Sequence, residues 1–175
     1  MPSQRWNLLP AQKLTALPIH QQYFAYAEAY LDSAARLCTT LARSSRKASF
    51  ERGAVVLYLT QHGLELFYKG AILKSAPKER FSHGLLHLQN RYKTLYPAKR
   101  YNVKELFRAS YEGLTKAQIS QVQGLEPPVD QLFRYPEDKT GNSWQGLFAF
   151  EASSFRRELH SLLEQVQSAR KHIDA

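Results

Sequence analysis

The chain has 175 residues, 43% of them hydrophobic and 22% charged, which is the composition of a folded globular protein and excludes a disordered or fibrous one. Its 24 Lys and Arg against 15 Asp and Glu leave a formal charge of +9, a field that attracts polyanions but specifies no chemistry. The single cysteine, Cys38, excludes an intrachain disulfide, and no run of about 18 apolar residues offers a membrane span. A cytoplasmic protein with a packed thiol and no membrane partner is expected.

Residues 1–18 read as an N-terminal extension and 19–175 as a single domain. Pro18 can open a helix, and the run from Ile19 to Ser45 places Tyr23, Tyr26 or Ala27, Tyr30, Ala34, Leu37 and Leu41 at three- and four-residue steps. Ser49 begins a second helix, apolar nearly all round and hence central, which Pro77 cannot continue. Ser82 is placed to cap a third, with Leu85, Leu88, Tyr92 and Leu95 on one stripe before Pro97. Asn102 and Gly113 bracket a short helix, and "TKAQISQVQG" reads as another. The stretch "LEPPVDQLFRYPEDKTGNSWQG" is a loop by its prolines. From about Phe148 a last helix carries Phe155, Leu159, Leu162, Val166 and Ala169. No useful strand alternation appears. The pattern predicts an all-α fold, an up-and-down four-helix bundle with a loop-rich helical insertion at about 100–146 before the last helix.

The second helix carries a polar interruption. His62, Glu65 and Lys69 fall within a sector of about 60° on a helix of 3.6 residues per turn. Glu65 lies four residues ahead of Lys69, the favourable order for an ion pair, so a paired charge at the edge of the core accounts for both. On the third helix His83, His87 and Asn90 are expected on one outward face. "HGLLH" spaces two imidazoles for zinc, but it lacks the metalloprotease glutamate and a third ligand, so no metal site is assigned.

Three separated pieces, "LTQHGLELFYKGAIL", "RFSHGLLHL" and "LFRYPEDKTG", resemble the HEPN family (higher eukaryotes and prokaryotes nucleotide-binding domains). In that family a central helix carries Glu and Lys, a Ser or Thr followed by His and Leu opens the next helix, and an Arg-Tyr-Pro-Asp-like segment precedes the last. The resemblance spans roughly residues 20 to 172. It implies that Glu65, Lys69, His83, Arg134 and Tyr135 form a ligand site, in which Lys69, His83 and Arg134 hold a phosphate and Tyr135 stacks on a base or supports the fold. It also implies RNA or nucleotide binding, homodimerisation, and a nucleotidyltransferase or antitoxin as a partner of some members.

Many members are metal-independent ribonucleases with Arg, four to six residues and then His near the last core helix. Here the chain departs from them, because reading on from Arg134 meets Lys139, Thr140 and Gly141 and no histidine. Arg80 and His87 have that spacing, but on the third helix, and they are the candidate catalytic pair of a ribonuclease alternative.

From Arg91 to Arg108 the chain sets Arg91, Lys93, Lys99, Arg100, Lys104 and Arg108 among Tyr92, Tyr96, Tyr101 and Phe107. Cations that follow phosphates and rings that stack on bases suit single-stranded nucleic acid, while a solvated face around core aromatics is the plain structural alternative. No glycine-rich phosphate loop, paired-cysteine motif, nucleophile elbow or acidic metal cluster is present, so no cofactor is expected. A catalytically silent module docking an acidic protein is the third reading.

Overall fold

The computed structural model describes residues 11–44, 49–81, 83–104, 106, 113, 115–125, 137, 141 and 150–175. Helices carry the fold: α1 (Gln12–Thr15), α2 (Ile19–Arg43), α3 (Phe50–Ser75), α4 (Leu85–Leu95), a 3-10 turn η1 (Lys99–Tyr101), α5 (Lys116–Leu125) and α6 (Ala152–Asp174). The protein is all-α, with no strand among the described residues.

Helix α3 is the central element and packs against α2, α4 and α6. Its near-continuous apolar sequence follows from that position, since a helix covered on several sides has no broad face left for water. Pro18 and Ser49 stand as the N-caps of α2 and α3, where sequence places them. Close approach of α2 to α3 depends on two glycines one heptad apart. A Cβ on Gly63 would lie 2.8 Å from Leu31 Cγ, and one on Gly70 would lie 3.0 Å from the His20 carbonyl oxygen. The order of those contacts makes α2 and α3 antiparallel. The ion pair of Glu28 with Arg170 and the bond from Cys38 Sγ to the Ala152 carbonyl make α2 and α6 antiparallel too.

Helix α4 meets α3 differently. The connection after α3 doubles back so that Phe81 lies by Lys69 and His83 by Glu65, after which Tyr92 meets Tyr68 and Tyr96 reaches the Ala71 carbonyl. The contacts ascend together, so α4 runs along α3 in the same sense. Rings link the elements: Phe24 to Phe67, Phe67 to Tyr92, Tyr92 to Tyr96 and Tyr96 to Tyr101, with centroids 5.1–5.7 Å apart. Such pairs add about 0.5–1.5 kcal/mol each beyond the area they bury.

Several sequence expectations shift. On α2 the buried stripe is Phe24, Ala27, Leu31, Ala34, Ala35, Cys38 and Leu41, while Tyr26 is exposed and Tyr23, Tyr30 and Leu37 flank the stripe. Helix α4 starts at Leu85 with Gly84 as its N-cap, so the cap is not Ser82, and His83 precedes the helix instead of sharing a face with His87 and Asn90. The short helix expected from Asn102 to Gly113 lies mostly outside the described residues, but its expected start is not helical: Asn102, Val103 and Lys104 run as a strap across α6, where Val103 is buried and the Lys104 amide donates to Gln165 Oε1. A side-chain acceptor from another helix replaces the helical ladder there. The "TKAQISQVQG" helix forms as α5, and Thr115 and Gln118 build a reciprocal capping box at its start. Helix α6 buries Leu159, Leu162, Val166 and Ala169 as the spacing predicts, with Ile173 added. Glu151 caps it by accepting from the amides of Ser153 and Ser154.

Candidate functional site

The polar stripe on α3 becomes a cluster centred on Glu65. Lys69 Nζ donates to Glu65 Oε1 at 2.5 Å, and Lys69 is a buried residue, 7% exposed. His62 Nδ1 lies 3.7 Å from Glu65 Oε2, its ring set edge-on to Tyr30 and stacked on Tyr58. His83, from the connection before α4, brings Nδ1 to 3.2 Å from Glu65 Oε1. Phe81 lies beneath the ammonium of Lys69, 5.9 Å from its ring centre.

One carboxylate therefore holds three basic groups. Burial raises the pKa of Glu65, but hydrogen bonds from His62 and Lys69, the charge of Lys69 and the bond from His83 outweigh it and bring the carboxyl down to about 2. Ionised, Glu65 can only accept, so Nδ1 of His83 carries the proton of their shared bond. The His83 side chain is 82% exposed, which leaves Nε2 facing solvent. A neutral imidazole in this tautomer presents a lone pair there, able to accept from a hydroxyl. A protonated one presents a second donor, able to bind a phosphate oxygen.

The structure brings Glu65, Lys69 and His83 together, with Glu65 as the shared partner. Lys69 is committed to Glu65 and little exposed, so His83 is the member of the cluster that meets solvent. Arg134 and Tyr135 lie outside the described residues. Arg80 is exposed before α4 and His87 is exposed on it, with no hydrogen bond between them. Sequence spacing marked His62, Glu65 and Lys69. Tyr30 and Phe81 were missed because they reach the cluster from other elements.

The basic stretch divides into occupied and open cations. Arg91 makes a two-pronged pair with Glu79, Nε to Oε1 at 2.8 Å and Nη2 to Oε2 at 2.7 Å. Lys104 pairs with Glu158. Lys93, Lys99 and Arg100 are exposed and form no ion pair among the described residues, and Arg100 stands over the Tyr101 ring at 4.9 Å. Arg108 lies outside the described residues. No group of His, Cys, Asp and Glu suited to a metal ion occurs among the described residues, and no described helix is long and apolar enough to cross a membrane. Comparison with known proteins finds no matching family model, no matching curated protein and no matching solved structure.

Proposed function

We propose that this chain is a HEPN-like helical domain that binds RNA or a nucleotide, with His83 as the group that meets the phosphate or ribose and Glu65 and Lys69 as the residues that position it. The observation that carries the reading is an exposed imidazole fixed through Nδ1 to a partly buried, ionised carboxylate. Surface histidines need no such anchor, and burying a Glu–Lys pair is costly unless the pair is held in good geometry. The net charge of +9 and the three open cations Lys93, Lys99 and Arg100 favour a polyanionic ligand. Arg134 and Tyr135 join the site in this reading by resemblance alone, as do a homodimer and an antitoxin or nucleotidyltransferase partner. A cytoplasmic location belongs to the same proposal.

The test is equilibrium binding of a fluorescein-labelled single-stranded RNA across a salt series, for the parent and for His83→Ala. The parent should bind with an affinity that falls steeply with salt, and His83→Ala should weaken binding about tenfold, the loss of one hydrogen bond to a charged group. Equal affinity of the two proteins would refute the role of His83. Absence of RNA and nucleotide binding, with one acidic protein copurifying at fixed stoichiometry, would favour the docking module instead. An EDTA arm scored for cleavage decides the ribonuclease alternative, in which loss of product with His87→Ala would implicate Arg80 and His87.

A further inference from the structure

The end of α4 and the strap that follows enclose a second feature. A cleft of about 320 Å³ lies between them, lined by Tyr96 and Tyr101, Ala98, Lys93, Lys99 and Asn102 among others. That volume is at the lower end of small-molecule sites, which run from about 300 to 1,000 Å³. Its walls are fixed. The Tyr92 hydroxyl donates to the Tyr101 carbonyl at 2.5 Å, the Tyr96 hydroxyl donates to the Ala71 carbonyl at 2.9 Å, and Gln165 holds the Lys104 amide at 2.7 Å. Two of the phenols thus have their polar ends turned into the protein, which leaves ring carbon to form the cleft. At its rim Lys93 and Lys99 are exposed and unpaired among the described residues, and the Asn102 side chain has no hydrogen-bond partner among them.

We infer that this cleft binds one nucleotide unit, its base against the Tyr96 and Tyr101 rings and its phosphate on Lys93 and Lys99. Charge and shape choose the occupant: aromatic walls suit a flat ring, two free ammonium groups suit a phosphate attached to it, and an unpartnered amide can pair with a base edge. Of the neighbouring cations, Arg91 and Lys104 are engaged by Glu79 and Glu158, and Arg100, open but outside the lining of the cleft, stands over the Tyr101 ring. The inference rests on the reading of RNA or nucleotide binding given above but places the base at a site separate from the Glu65 cluster. The unit is either a free mononucleotide or one residue of a single-stranded RNA.

The experiment compares a labelled oligouridylate with an abasic ribose-phosphate strand of the same length, and adds UMP as a competitor. Three proteins are used besides the parent: Lys93→Ala/Lys99→Ala, Ala98→Phe, which places a ring in the cleft, and His83→Ala. All four substituted positions lie outside the buried core, and circular dichroism verifies each fold. The parent should prefer the base-bearing strand about tenfold, the size of one base–ring stack. Ala98→Phe should abolish that preference and leave the abasic strand unaffected. The double lysine variant should weaken both strands and flatten the salt dependence by about 1.4 in log–log slope, two contacts at roughly 0.7 each. Displacement by UMP that Ala98→Phe removes assigns a free nucleotide; displacement by strands alone assigns RNA. Equal affinity of the parent for both strands overturns the inference, as does a folded Ala98→Phe that keeps the preference. If the preference survives Ala98→Phe while His83→Ala loses binding, the cleft is refuted and the His83 site stands. If Ala98→Phe abolishes it and His83→Ala binds normally, the cleft stands and the His83 site is refuted.

Discussion

Glu65→Gln tests the electrostatics of the cluster in the most quantitative way. The substitution preserves shape and an acceptor oxygen for Lys69 but removes the charge, leaving a buried ammonium uncompensated. Folding lowers the Glu65 carboxyl from the ordinary 4.5 to about 2. At about 1.4 kcal/mol per pH unit, that difference amounts to roughly 3 kcal/mol of stability. The figure agrees in size with the cost of about 3–5 kcal/mol for orphaning one partner of a buried pair. Because the folded pKa is depressed, the contribution is complete above about pH 5 and is lost as pH falls through 4.5 towards 2. At pH 7 the variant should therefore be less stable than the parent by about 3 kcal/mol. At pH 2 the Glu65 carboxyl is about half protonated in the folded parent and fully protonated in the unfolded one, and the gap should shrink to under about 1 kcal/mol. Urea denaturation followed by far-UV circular dichroism at about pH 7, 4 and 2 measures both values. A gap that does not change with pH, or a variant as stable as the parent at pH 7, would show that Glu65 is not held as an ionised hub.

Gly70→Ala should destabilise the fold by about 1–3 kcal/mol in the same assay, because the new methyl would meet the His20 carbonyl and the Phe24 ring at 3.0 Å. This outweighs the gain of about 1 kcal/mol that alanine brings to a helix interior, and a stabilised variant would contradict the close α2–α3 packing. Burial pushes the Cys38 thiol up to about 11, so at pH 8 roughly one molecule in a thousand carries a thiolate there. Iodoacetamide should label Cys38 only after urea unfolding, and rapid labelling of the native protein would refute its place in the core. Glu151→Ala removes the acceptor that satisfies the Ser153 and Ser154 amides, so the first turn of α6 should exchange its amide hydrogens faster while its last turns are unchanged.

The elements that the sequence made legible are those whose cause is local. Breakers and apolar spacing fix the start of α2 at Pro18, the start of α3 at Ser49 and the buried stripe of α6 from Leu159 to Ala169. The Glu65–Lys69 pair is likewise local, a contact one helical turn long. What the sequence hid depends on distant partners. The α2 stripe is turned toward Phe24 and Leu31 because Gly63 and Gly70 decide which face of α2 can approach, whereas the tyrosines that dominate the spacing sit at its flanks. Asn102 has the chemistry of a helix cap, but Gln165 of α6 takes the amide of Lys104 and draws the chain into a strap. The meeting of His83 with Glu65 requires the chain to double back after Ser75, a path that no periodicity encodes. The occupation of Arg91 by Glu79 and of Lys104 by Glu158 has the same origin, and among the described residues of the basic stretch it leaves Lys93, Lys99 and Arg100 open.

The role of His83 is tested most directly by long-range proton–nitrogen NMR of the imidazoles, with His83→Ala to assign the signals. Without ligand at neutral pH, the neutral form of His83 should be the tautomer protonated at Nδ1. Titration with single-stranded RNA should move its Nε2 resonance in proportion to the bound fraction. A neutral His83 protonated at Nε2, or an Nε2 signal that stays fixed while RNA binds, would contradict the assignment of this side chain as a ligand contact positioned by Glu65.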